Sequence, residues 1–253
     1  PLFENNAPQG GSNKRLTGIW VGKFETTEKT SANGANMILP NQTSQTSLNV
    51  STMFSRAQAI GTNLNMTLDS HMMKNTEWGA TAYLTESKYG RNGTEIAINN
   101  SSSYITGISG GNANASETDA TYVYNTANGV LASTTENVYG IYDMSGGAVE
   151  YVMGIYGTSK PMLGSSGFTE GNFPEKKYYN LYTKTAVDNT NIGDALYETS
   201  GWNSDNTIFV NSNYPFFGRG GNYYNGALAG VFNVGRGSGY KINTGGFYVC
   251  LAV

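Results

Sequence analysis

A single cysteine, Cys250, and a single histidine, His71, are all the sequence offers of those two residue types. One thiol cannot build an internal disulfide framework or a multi-cysteine metal site. Charge is scarce as well: Asp, Glu, Lys and Arg make up 13% of the chain, well below the roughly 25% of an ordinary soluble domain. The net charge of -3 comes without a Lys/Arg run, which leaves no electrostatic footprint for nucleic acid or an anionic membrane. No apolar run nears the roughly 20 residues that cross a bilayer, and no signal peptide or lipidation box is visible. The first residue is Pro1, which reads as a mature or trimmed form whose targeting segment is missing. Neither a Gly-x-Ser-x-Gly elbow, a Walker loop nor a His-Glu-x-x-His motif occurs.

What the chain does hold is Asn, Gly, Ser, Thr and Tyr, so its surface is polar and mostly neutral. At 253 residues it can bury a real core. A polar lead over 1–15 precedes one domain over 16–253. LTGIWVGKFE, Leu16 to Glu25, alternates like a strand. NVSTMFSRAQAI, from Asn49 to Ile60, places Val50, Met53, Phe54, Ala57 and Ile60 at helical spacing. A second helix is expected from Ser70 to Tyr89, with Met73, Trp78, Ala80, Tyr83 and Leu84 as its buried stripe and Gly90 as its stop. His71 then reads as a helix-start residue beside the potential cap Asp69. Turn residues crowd 92–128 and 157–206, read as irregular excursions of a small mixed fold without a fixed-period repeat. Cys250, between Val249 and Leu251, reads as a small buried hydrophobe.

The middle supplies a motif. GIYDMSGGAVEYVMG, Gly140 to Gly154, resembles the G-L-Y-D-M-x-G-N-V-x-E-W signature of the formylglycine-generating, sulfatase-modifying family. RGGNYYN at Arg219 and GGFYVCL at Gly245 resemble that family's closing elements, and WVGKFETT and NTEWGATAYLTESKYG extend the likeness over nearly the whole domain. The resemblance implies an α+β, C-type-lectin-like fold with two helices, short antiparallel strands and long loops. Physically, Ile141, Met144, Val149 and Val152 give an apolar face and Ser145-Gly146-Gly147 a tight turn. Asp143 or Glu150 could accept from exposed backbone donors around the turn, and both are read as structural rather than as a catalytic pair. The oxidase chemistry of that family relies on active-site cysteines, and one thiol does not supply it.

The carboxyl-terminal segment, Phe216 to Val253, mixes two kinds of position. Arg219-Gly220-Gly221, Gly226, Ala229-Gly230-Val231-Phe232, Gly239 and Gly246-Phe247 read as scaffold. Between them, residues of unrelated polarity follow no period. This segment resembles the variable region of proteins diversified by retroelements, of the group linked to Firmicutes prepilin-type proteins or their phages. That resemblance implies a variable region of about 216–247. Its diversified contact positions would be Tyr224, Leu228, Gly235, Arg236, Gly237, Ser238, Tyr240, Ile242, Asn243, Thr244 and Gly245, with Asn222 at the margin. Lys241 and Tyr248 depart from the family pattern. Tyrosine and arginine suit such a role by offering area and directed hydrogen bonds at modest entropy cost. Tyr223, Tyr224 and Tyr240 beside Arg236 would form an anchor cluster, while Trp202, Tyr214 and Phe217 are assigned to core or rim.

The resemblance thus implies a non-enzymatic display protein for a protein or cell-surface ligand, on a bacterial cell or pilus surface or at a phage tail tip. A structural pilin or tail-fibre subunit, or an enzyme of the sulfatase-modifying type, are the alternatives. No catalytic residue, metal ligand, cofactor, nucleic acid or membrane contact is assigned. Structural calcium occurs in such folds, yet no run has the D-x-[DN]-x-[DN]-G-x-x-x-x-x-E spacing that would place it.

Overall fold

A computed structural model of the protein describes residues 18–65, 69–110, 121–183 and 193–252. It is α+β. Helix α1 (Val50–Asn63) begins where Asn49 Oδ1 accepts the Thr52 amide at 3.0 Å, an N-cap that satisfies a donor the helix itself cannot. The five residues expected to face inward, Val50, Met53, Phe54, Ala57 and Ile60, are all buried.

The second expected helix is divided. Its first residues form strand β2 (Asp69–Met72), and helix α2 runs only from Asn75 to Glu86. The strand forms because β8 (Val249–Ala252) offers an antiparallel partner, in register from Asp69↔Ala252 to Met72↔Val249. No local pattern reports a partner so distant in sequence. Leu84, expected in the buried stripe, is 55% exposed, whereas Met73, Trp78 and Ala80 are buried. Gly90 lies in the turn beyond the helix rather than at its stop; Ser87 is the C-cap.

Of the expected 16–25 strand, residues 16 and 17 lie outside the described residues; within 18–25 it is β1 (Ile19–Val21), which pairs with the other edge of β8. Beyond it the chain turns inward: Gly22 donates to Val249 O at 2.9 Å, Thr26 donates to Phe247 O at 3.0 Å, and Phe24 and Glu25 are buried. The sheet order is β1-β8-β2.

A second, five-stranded sheet carries the carboxyl-terminal segment. Its spine is β3 (Val149–Tyr156), flanked by parallel β4 (Asn180–Tyr182) and antiparallel β5 (Phe216–Gly220), with β6 (Gly230–Gly237) on β5. The short β7 (Gly245–Gly246) also pairs with β3, in parallel. Both faces of this sheet are covered. Side-chain alternation sends Val152 and Phe217 to a core with Trp78 and Phe232, and Tyr151, Met153, Ile155 and Phe216 to a core with α1; β8 of the other sheet adds Cys250 to the first and Val249 to the second. That two-sided burial explains the near-continuous apolar run of β3.

His71 corrects another expectation. It is a β2 residue, 3% exposed, whose Nε2 lies 2.9 Å from Glu77 Oε1, and Lys74 Nζ is 3.3 Å from the same oxygen. Glu77 Oε2 accepts the Lys74 amide at 2.8 Å. Burial alone would raise the Glu77 carboxyl, but His71 and Lys74 outweigh it and hold it down at about 2. For His71, burial pulls downward and the Glu77 charge and hydrogen bond prevail, so its pKa is raised. Burial pushes the neighbouring Cys250 thiol well up, as befits an inert core residue.

These shifts fix the sign of a pH effect. The Glu77 contribution is present above the unfolded value of 4.5 and lost as pH falls toward about 2; that of His71 is present below 6.5 and lost as pH rises through its folded value. Glu77→Gln is expected to cost about 3–5 kcal/mol, the loss seen when one partner of a buried ion pair is removed. Urea unfolding should show that loss, together with a weaker fall in stability on acidification below pH about 4.

Candidate ligand-binding surface

The segment from β5 to β7 is pinned to the rest of the molecule by its backbone and by one buried cation. Arg219, 0% exposed, donates through Nη2 to Ala195 O at 2.8 Å and through Nη1 to Asn75 Oδ1 at 3.3 Å, with its guanidinium 5.7 Å from the Trp78 ring centre. Trp78 Nε1 in turn donates to Val231 O at 2.7 Å. Burial lowers the Arg219 pKa to about 10, against the pull of Tyr182, Asp194, Asp205 and Glu198. It therefore stays charged at neutral pH.

After Arg219 the chain bends at Gly220 and Gly221, both at positive φ (78° and 71°), a region L side chains enter at a cost. Asn225 Oδ1 accepts the Asn222 amide at 2.8 Å, and Tyr223 donates its amide to Gly147 O at 3.0 Å. On β6, Asp205 Oδ2 accepts the Phe232 amide at 2.9 Å. A side chain on Gly230 would place Cβ 2.2 Å from Asp205 Oδ1, so only glycine fits there.

The 238–244 loop is equally tethered. Ser238 O accepts from Ser165 N at 2.7 Å, Gly239 O from Val50 N at 3.1 Å, Ile242 O from Ser47 N at 3.0 Å and Thr244 O from Val149 N at 2.7 Å. Its backbone is fixed by three parts of the chain, around Ser47–Val50, Ser165 and Val149, while Tyr240, Lys241 and Asn243 stand exposed and Ile242 packs against the core beside α1.

Side-chain exposure divides the twelve expected contact positions. Tyr224 (63%), Leu228 (51%) and Tyr240 (53%) stand out into solvent, as do Arg236 and Asn243. Gly235, Gly237, Ser238, Ile242 and Thr244 are half-buried. Asn222 and Gly245 are buried, Asn222 at 7% and Gly245 in β7 against Val149. Gly245 thus presents no contact surface, because the β3 ladder encloses it. Five of the set, Asn222, Leu228, Gly235, Arg236 and Ile242, line one open cavity of about 180 Å³ whose wall includes Val149, Tyr151 and Gly218.

The aromatic arrangement differs from the expected anchor cluster. Tyr223 packs edge-on against Tyr224 (5.1 Å) and against Tyr104 (5.6 Å), far upstream in sequence. Arg236 lies over Tyr214 at 5.3 Å and donates to Phe209 O at 2.9 Å. Tyr214 is 48% exposed, in keeping with its assignment to the rim. Trp202, 43% exposed, packs on Phe232, and Phe217 is core. Tyr104 was missed because nothing in its neighbourhood announces a partner 119 residues on. Tyr214 could have been found: Asn211 Oδ1 accepts the amides of Asn213 and Tyr214, an Asx turn that projects the ring.

The motif carboxylates also behave unequally. Asp143 Oδ1 accepts from Gly107 N at 2.8 Å and Asn99 Nδ2 at 2.9 Å, the backbone-donor role expected of it. Glu150 does not: neither of its buried oxygens meets a donor. Among the described residues no group of three or more His, Cys, Asp or Glu side chains is arranged to hold a metal ion. No described helix is long and apolar enough to cross a membrane.

No protein-family model matches the chain. No curated protein matches it in sequence either. Among solved structures it is similar to Treponema denticola variable protein 1, at a TM-score of 0.46 and 13% identity, over 94% of this chain and 86% of that one.

Arg219→Met is expected to destabilise the fold by about 3 kcal/mol or more, since it strands Ala195 O and Asn75 in the interior. Gly230→Ala should be similarly damaging because its methyl group meets the Asp205 carboxylate. Calorimetric melting of the two variants checks both.

Proposed function

We propose that this protein is a non-enzymatic ligand-binding display protein on a C-type-lectin-like scaffold, of the kind diversified by retroelements. Its recognition surface comprises Tyr224, Leu228, Arg236, Tyr240 and Asn243 around the cavity, with Asn222, Gly235, Gly237, Ser238, Ile242, Thr244 and Gly245 forming its backbone. One observation carries this reading. The 222–244 backbone is tied down by hydrogen bonds from fixed elements while large side chains of unrelated chemistry stand exposed on it. Tyr224, Leu228 and Tyr240 stand outside the core, and Arg236 is tied through its side chain only to Phe209 O and the Tyr214 ring at the surface, so these positions can be exchanged at little cost to the fold, which is what a changeable contact surface requires.

The cavity argues for a macromolecular ligand. Small-molecule sites typically enclose about 300–1,000 Å³ and bury most of their ligand, whereas this one measures about 180 Å³. It suits one inserted side chain, with Tyr224, Tyr240 and the stacked Arg236 and Tyr214 supplying area around it. A protein or cell-surface ligand met from a bacterial cell or pilus surface, or from a phage tail tip, fits that geometry, and the reading calls for no cofactor.

The test is selection from two displayed libraries against immobilised lysozyme as a model protein target. One library randomises positions 224, 228, 236, 240 and 243; the other randomises 84, 88, 89, 136 and 139, also exposed. Binders should enrich from the first and not from the second. Equal enrichment, or loss of folded display in the first, would contradict the proposal.

A further inference from the structure

Three carboxyl groups meet inside the molecule next to both ends of the candidate surface. Glu25 follows β1, Asp143 precedes β3 and Glu150 lies on β3; they are 1%, 2% and 0% exposed. No donor meets Asp143 Oδ2 or any of the four oxygens of Glu25 and Glu150 at good hydrogen-bond geometry; the Ser44 hydroxyl and the Ala148 amide approach Glu25 and favour its charged form only weakly against burial. Ionised, such buried and unpaired groups would cost several kcal/mol each, so a site like this takes up protons instead. The carboxyls of Glu25 and Glu150 face one another, a contact that becomes a hydrogen bond once either is protonated.

Position gives the cluster its meaning. Glu150 Oε2 lies 2.3 Å from where a Cβ on Gly220 would stand, and Glu25 Oε2 lies 3.0 Å from where one on Gly246 would stand. Gly220 ends β5 and Gly246 ends β7, so the two glycines bracket the segment that carries β6 and the exposed loops. Glu150 is moreover the register partner of both Arg219 and Gly246.

We propose that protons shared within the Glu25, Asp143 and Glu150 cluster hold the two ends of segment 220–246 in place, making the platform an acid-locked device that loosens as pH rises. Burial is the first cause that pushes all three carboxyls upward; for Asp143 the result is about 8, with the Glu25 charge adding to it. The phenol of Tyr248 faces the same cluster and is raised by burial and by all three carboxyls. The Ser44 side chain, the Ala148 backbone and the Glu150 carboxyl pull Glu25 downward, and burial outweighs them. Of the cations packed nearby, Lys23 lies 5.7 Å over the Tyr142 ring, and Arg219 directs its guanidinium at Asn75 and Ala195. Neutralisation therefore falls to protons. The proposal stands on the platform alone and does not depend on what the surface binds.

The sign follows from proton counting. Unfolded, Asp143 titrates near 3.8, and folded near about 8; folding takes up protons in between, so stability is greatest below that window and falls as pH rises through it. Thermal unfolding of wild type, Glu25→Gln and Glu150→Gln from about pH 5 to about pH 9 tests this. The wild type should melt lower at each step upward, and the glutamine variants should show a shallower decline and melt above wild type at the alkaline end. Asp194, Asp205 and Glu95, raised to about 6, 7 and 7, tilt all three proteins alike, so the difference between curves is the readout. Should a variant fail to fold, hydrogen exchange on wild type serves instead. Corrected for intrinsic rates, amides of 220–222 and 245–247 should lose protection with rising pH while those of 53–60 in α1 keep it. Equal slopes in variants and wild type, unchanged local protection, or full restoration of alkaline stability by millimolar calcium, which would mean that a cation is held there, would each overturn the proposal.

Discussion

The buried guanidinium of Arg219 is the constraint on which the rest of the architecture turns. A full charge with no exposure survives in a protein interior only when most of its donors are met; Arg219 places its two terminal nitrogens against Asn75 at the start of α2 and Ala195 in the loop before β5, while its Nε finds no partner. The Trp78 indole beneath it bonds Val231 on β6. Helix, loop and both surface-bearing strands are thereby locked to a single side chain. If that match is lost, β5 and β6 lose their common reference.

Because the anchors are backbone groups and buried side chains, the exposed side chains are relieved of structural work. The loop carrying Tyr240 illustrates it: Gly239 O and Ile242 O on either side are held by Val50 and Ser47, and the ring between them is 53% exposed. Antibody contact loops achieve a similar separation, placing rigid aromatic contacts on a framework that tolerates exchange. Here the framework is a sheet buried on both faces, which is stiffer than a free loop.

Much of this was legible in the sequence where the signal is local. The spacing of Val50, Met53, Phe54, Ala57 and Ile60 needs only a helix to explain it, and α1 is there. The glycines at 220, 221 and 239 sit at positive φ, so their reading as scaffold follows from what a side chain could not do. The signals that failed were nonlocal. Asp69 to Met72 has no helical or strand period of its own and becomes β2 only because β8 pairs with it. Tyr104 joins the surface through Tyr223 alone. The Glu25 carboxyl reads as an ordinary strand-end charge until the fold carries it inward against Glu150, and of the two motif carboxylates it is Asp143 that takes the backbone donor, from Gly107.

The central claim is that the surface side chains are dispensable to the fold that presents them. The direct measurement is equilibrium urea unfolding of a variant combining Tyr224→Ala, Leu228→Ala, Arg236→Ala and Tyr240→Ala. Four exposed positions at about 0.5 kcal/mol each should shift stability by no more than about 2 kcal/mol, with an unchanged dependence on urea. A loss of about 4 kcal/mol or more, on the scale of core truncation, would mean that these residues hold the structure together, and the account would be wrong.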